Sequence, residues 1–151
     1  MKMKHFRIFI LVFAVLVSPA WAAQAKKEPT ITVLAKSEIS WNGQRLPEYP
    51  KGQPEVTILK VTVPPGASLP FHEHPMISAG IMTRGELTVE TEDKKTLHLK
   101  AGDPIVEVVD AFHYGKNETD QPAEIVVFYA GIKNAPVSIK KYSDFPREDI
   151  E

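Results

Sequence analysis

Three histidines carry the chemistry that this chain can do. His72 and His74 flank Glu73, and His113 follows about forty residues later, with three residues between it and Asn117. Along an extended strand, side chains at i and i+2 point to the same face. His72 and His74 can therefore aim both imidazoles into one interior, and His113 from a neighbouring strand can complete a three-nitrogen set for a divalent metal ion. Glu73 lies between the two histidines and points to the opposite face. Three protein ligands leave positions open to water or substrate, as catalytic rather than closed structural sites do. The ion could be Fe, Zn, Mn, Ni or Cu, and residue types alone do not choose among them. Three neutral imidazoles leave its dipositive charge uncompensated, which favours a small anionic molecule, such as a carboxylate, at the open positions. No side chain identifies itself as a general base.

The elements that must position these histidines read as strands. Val56–Val63 is rich in β-branched residues and ends at Pro64-Pro65-Gly66. Leu69–His74 and Ser78–Thr83 follow, then an Arg84-Gly85 turn. Glu86–Thr91 and Thr96–Lys100 alternate apolar and polar side chains across a charged turn. Ile105–Val109 and Glu124–Ala130 are further strands, the second expected to be central and buried on both faces. Thr30–Leu34 is expected to open the domain, Asn42-Gly43 to form a tight turn, Leu46–Pro54 to be an irregular Pro-rich loop, and Val137–Ile139 to add an edge. No stretch after the leader has a helical period, so the chain reads as an all-β sandwich or barrel. His98 alternates with Leu97 and Leu99 and should face solvent. Trp41, Tyr49 and Phe71 are candidates for the mouth of a pocket.

The N-terminus reads as an address. Lys2, Lys4 and Arg7 precede an apolar run from Ile8 to Val17, and Ala20-Trp21-Ala22 ends it with small residues at cleavage-site spacing. Ten apolar residues fall well short of the ~20 that span a bilayer. Residues 1–22 are therefore expected to be a secretory signal peptide, and the protein to be periplasmic or secreted with no stable membrane anchor after cleavage. Loss of Lys2, Lys4 and Arg7 takes 18 basic residues to 15 against 19 acidic ones, a net charge near −4. Such a surface offers no footprint for nucleic acid or anionic lipid. The chain has no cysteine, so neither disulfides nor thiolate ligands are available to it.

Gly66, five residues, His72-Glu73-His74 and then Gly85 resemble the first motif of the cupin superfamily; Gly102, ten residues, His113, three residues and Asn117 resemble the second. The resemblance covers about residues 55–130 and implies a double-stranded β-helix, or jelly roll, with a divalent metal on the motif histidines. Two departures stand out. Ser78 occupies the position where the family usually supplies a glutamate ligand, and there it could hydrogen-bond a bound ligand or a metal-bound water. Val108 and Asp110 replace the second motif's proline and glycine. Asn117-Glu118-Thr119 fits a glycosylation sequon, but Asn117 is also the second motif's asparagine. The expected layout is a signal peptide (1–22), N-terminal strands and Pro-rich loop (23–54), a barrel core (55–130), and a C-terminal edge strand and tail (131–151).

Two function classes fit. One is a metal-dependent enzyme acting on a small molecule, with three-histidine dioxygenases as the family precedent. The other is a cupin that binds or senses a small ligand without turnover. Sugar isomerisation is weaker, because no additional catalytic histidine is evident. An apolar first strand and the family's habit both point to a homodimer built on N-terminal strand contacts.

Overall fold

Alternation of inward apolar and outward polar side chains builds two antiparallel sheets whose inner faces meet. The computed structural model describes residues 28–141. The expected signal peptide and the acidic tail from Asp144 lie outside them. Every element named below lies within the compact unit that begins at Thr32. The strands are β1 (Pro54–Val63), β2 (His72–Glu73), β3 (Ser78–Arg84), β4 (Glu86–Thr91), β5 (Thr96–Lys100), β6 (Pro104–Val106), β7 (His113–Lys116), β8 (Ala123–Ile132) and β9 (Ile139–Lys140). One sheet has the order β1-β8-β3-β6 and the other β5-β4-β7-β2-β9. No helix occurs among the described residues. The fold is all-β, as the residue pattern predicts.

Register follows from which face is apolar. β1 and β8 pair along their whole length, from Pro54 opposite Ile132 to Val63 opposite Ala123. Val63, Ile125, Val127 and Met82 from this sheet pack with Leu87, Val89 and Leu99 from the other in one core. A one-residue slip would turn these side chains to solvent, so burial itself holds the register. Ser78, Gly80 and Met82 share the inner face of β3, and Ser78 and Met82 are fully buried. The Asn42-Gly43 turn forms as expected, with Gly43 N donating to Ser40 O at 2.9 Å.

Three expectations need correction. Thr30–Leu34 is not a strand: it has no pairing partner among the described residues, and Ile31 and Val33 are 93% and 73% exposed. Apolar alternation makes a strand only where a second strand satisfies its backbone groups. β8 is not buried on both faces, because it lies over the core on one side only and Phe128 is 43% exposed. The strand expected over Leu69–His74 shrinks to His72–Glu73, since Pro70 has no N–H to give to a ladder.

Sharp turns between strands rest on left-handed glycines. Gly66 and Gly85 have φ of +71° and +68°. A Cβ on Gly66 would meet open space, whereas one on Gly85 would stand 2.5 Å from Pro122 O. Gly66→Ala should cost about 1–2 kcal/mol, the left-handed penalty alone. Gly85→Ala should cost clearly more, because a backbone carbonyl must also move. Urea unfolding of both variants measures the difference; equal losses would show that the Pro122 contact does not matter.

Candidate metal centre

The two-residue strand β2 brings the histidines together. His72 stands directly opposite His113 in the β2–β7 ladder, and His74 follows just beyond the strand end. Ring centroids are 4.6 Å apart for His72 and His113, 4.9 Å for His72 and His74, and 5.1 Å for His74 and His113. One potential ligand atom from each lies within 4.8 Å of the others. Nitrogens sharing one ion at bonds of ~2.0–2.1 Å would be roughly 3–3.5 Å apart, so small side-chain movements close the set.

Each ring is held by its other nitrogen. Nδ1 lies 2.7 Å from Pro70 O in His72, 2.7 Å from Val137 O in His74 and 2.8 Å from Ala111 O in His113. A carbonyl can only accept, so each Nδ1 carries the proton and donates it. That fixes Nε2 as the unprotonated nitrogen with a free lone pair, the tautomer a metal ligand requires. Burial lowers the pKa of all three rings, those of His74 and His113 to about 4. At neutral pH they are uncharged. The residues present fit a divalent ion.

One further group at the site has no signature in the motif. Glu107 follows β6, and its N–H donates to Ser78 O at 3.0 Å. Its side chain is buried, its Oε2 has no hydrogen-bond partner, and that oxygen lies 3.7 Å from His113 Nε2. Burial raises the carboxyl from its ordinary 4.5 to about 7. Despite the short approach this is not a salt bridge, since His113 is neutral wherever Glu107 is ionised. Sequence reasoning passed over Glu107 because it sits in an apolar run; its phase with Ile105, two residues earlier, was the available signal.

These groups line a cavity of about 230 Å³. Its polar side holds His72, His74, His113, Glu107 and Tyr129, and side chains such as Leu87, Val89, Ile125 and Val127 form apolar walls. Burial, and secondarily the Glu107 charge, pushes the Tyr129 hydroxyl up to about 12, so it stays protonated. Ser78 is fully buried, pairs across β3–β8 with Tyr129 and has no partner for its Oγ. It is not among the residues that line the cavity.

The remaining candidates are elsewhere. His98 is exposed and hydrogen-bonds Thr88 Oγ1 at 3.0 Å. Trp41 packs against the core, Tyr49 is exposed, and Phe71 stacks on Tyr114; none lines the cavity. Asn117 is buried, and its Nδ2 donates to Val63 O and Gln121 O, which closes the sequon to modification in the folded chain. Asp110 adopts φ +51° at the position where the second motif has glycine. Aspartate tolerates the left-handed region better than most residues, so the turn survives the replacement.

Residues 59–129 match the cupin domain family. Among solved structures, the DMSP lyase DddQ from Ruegeria pomeroyi DSS-3 is 22% identical with a TM-score of 0.52, over 60% of this chain and 45% of that one. A cupin-like protein from Thermotoga maritima is 22% identical with a TM-score of 0.52, over 57% and 64%. A Klebsiella pneumoniae protein with a double-stranded β-helix domain is 20% identical with a TM-score of 0.50, over 62% and 90%. The chain thus spans about half the length of the lyase. No protein of curated function matches. Residues 59–129 are thus a cupin domain, and the fold is the double-stranded β-helix.

Acid should destabilise the metal-free protein. The histidines have a folded pKa below their unfolded value of 6.5, so the unfolded chain binds more protons between pH 6.5 and 4 and stability falls as pH falls. Glu107 acts in the opposite sense: its folded pKa is raised from 4.5 to about 7, so stability falls as pH rises through that window. Two or more rings outweigh one carboxyl. Calorimetry in the presence of a chelator should show the melting temperature dropping from pH 6.5 to 4.5, and more steeply in Glu107→Gln.

Proposed function

We propose that this chain is an exported, metal-dependent cupin enzyme that acts on a small molecule, as a dioxygenase or a related oxidoreductase. The observation that carries this reading is the convergence of three Nε2 atoms on the cavity, each freed by an Nδ1–carbonyl bond behind it. A bound ion would supply Lewis-acid or redox chemistry at positions open to the cavity. The protein's own groups do the rest. The carbonyls of Pro70, Val137 and Ala111 stop the rings from turning. Apolar walls exclude water and strengthen every polar interaction inside. Tyr129 keeps its proton and can donate a hydrogen bond to a bound molecule. A cavity of about 230 Å³ suits a small molecule, and the ion's residual charge favours an anionic one.

Protein recovered without a histidine tag from the exported fraction should begin at Ala23 or Gln24 and carry a divalent ion, identified by mass spectrometry. His74→Ala should lose most of that ion, while His98→Ala should keep it; equal loss from both would mean the ligands are wrongly assigned. Oxygen uptake with small carboxylates then separates turnover from capture. Metal and ligand binding with no turnover of any kind would favour the binding module.

We also propose a homodimer. Among the described residues β1 pairs only with β8, which leaves its other edge without a neighbouring strand there. Val56, Ile58 and Phe128 are exposed on the outer face of the same sheet, and Ile58 stands directly opposite Phe128. The unpaired run through Val33 and Leu34 has the composition to cover such an edge on a second copy. Light scattering should find a dimer for the chain from residue 23 and a monomer once residues 23–35 are removed. A monomeric longer form would refute the dimer, and a dimeric truncated form would refute this interface.

A further inference from the structure

Glu107 buries a carboxyl oxygen that no hydrogen bond satisfies. A buried carboxyl oxygen without a hydrogen-bond partner is costly and uncommon, and an ion is among the few things that account for one. Ser78, its neighbour across the strands, has an orphaned Oγ, yet no bond joins the two. Glu107 Oε2 faces His113 Nε2 at 3.7 Å. That separation is too long for a hydrogen bond. It is close to the spacing of roughly 3–3.5 Å expected for two atoms that share one metal ion. His113 Nδ1 is already engaged by Ala111 O, so Nε2 has only its lone pair to offer. Two acceptors facing each other across 3.7 Å, both shielded from water, attract each other only if a cation or a proton comes between them.

We infer that Glu107 is a fourth protein ligand of the metal centre, reaching the ion from the sheet opposite the one that carries the three histidines. This rests on the metal-binding reading above and adds the residue that would set the charge of the site. The histidines belong to or adjoin β2 and β7 of the five-stranded sheet, whereas Glu107 directly follows β6 of the four-stranded one. With Glu107 bound as a carboxylate, the loaded centre carries one net positive charge in place of two. It also keeps fewer open positions than three histidines alone would leave. The geometry favours Oε2 as the ligand oxygen, since it is buried, lacks a partner and faces His113.

Chelator competition with zinc and the visible spectrum of the cobalt-loaded protein test the assignment. Glu107→Gln keeps the shape of the side chain and should weaken zinc binding by about tenfold or more, in the range that loss of a metal-site partner produces. Its cobalt spectrum should shift, reporting a changed ligand set. Its metal-free melting temperature at pH 8 should stay level or rise, because an unpaired buried carboxylate has gone. Ser78 and Glu107 are cross-strand neighbours whose side chains start about 5 Å apart. The double variant Ser78→Glu/Glu107→Gln should therefore recover much of the lost affinity by delivering a carboxylate from the adjacent position. Parent-like zinc affinity and an unchanged cobalt spectrum in Glu107→Gln would overturn the inference. So would a weakened variant whose metal-free form is also destabilised and which Ser78→Glu fails to rescue, since that pattern marks a packing role. A parent protein that binds neither zinc nor cobalt would overturn the metal-binding reading itself, a result distinct from either.

Discussion

The pairing of His72 with His113 across β2 and β7 is the constraint on which the site depends. β2 has only two residues, too few to hold a register by its own ladder. It is held instead from several directions. β9 pairs on its other side, Asp110 N donates to His74 O, and Lys141 N donates to Phe71 O. The imidazoles add to this through their Nδ1 bonds to Pro70, Val137 and Ala111. The same hydrogen bonds therefore lock the backbone of a short strand and choose the tautomer of each ring. A shift of one residue would aim Glu73 into the cavity and both histidines out of it.

Much of this was legible in the residues. Glu86–Thr91 and Thr96–Lys100 show their alternation plainly and occur with those bounds. The His72-Glu73-His74 spacing carries its own face assignment, and the histidines converge as that spacing implies. Glycines at 66, 85 and 102 mark turns and all have positive φ. The rest was hidden for physical reasons. A backbone carbonyl has no sequence signature, so the Nδ1 acceptors could not be foreseen. Glu107 lies between Ile105-Val106 and Val108-Val109, where a charged residue reads as the polar member of a half-exposed strand. It is instead in phase with buried Ile105 and shares its face. Thr30–Leu34 has the composition of a strand but finds no partner among the described residues, a fact that depends on tertiary structure alone.

The metal-free site holds several unfavourable features at once. Two imidazoles are buried and a third is half-buried, a carboxyl oxygen and a serine hydroxyl lack partners, and the apolar cavity adjoins them. Each is tolerable singly, but together they weaken the folded state at the point where its two sheets face each other. A cation bound only by the folded chain would offset that weakness by mass action. Stability and ligand occupancy are then coupled through the same residues.

That coupling bears on how a small cysteine-free chain holds its barrel shut. Without disulfides, the two sheets are joined by packing of side chains such as Val89 and Val127 and by the connecting loops. Ion pairs on the surface add little, because pairs such as Lys60–Glu124 and Lys94–Glu90 are partly solvated. An ion held by His72, His74 and His113 alone would tie β2 to β7, which already pair within one sheet. An ion that also takes Glu107 would join the sheets across the interior. The position of one carboxyl thus decides whether the metal serves only the chemistry in the cavity or also closes the barrel around it.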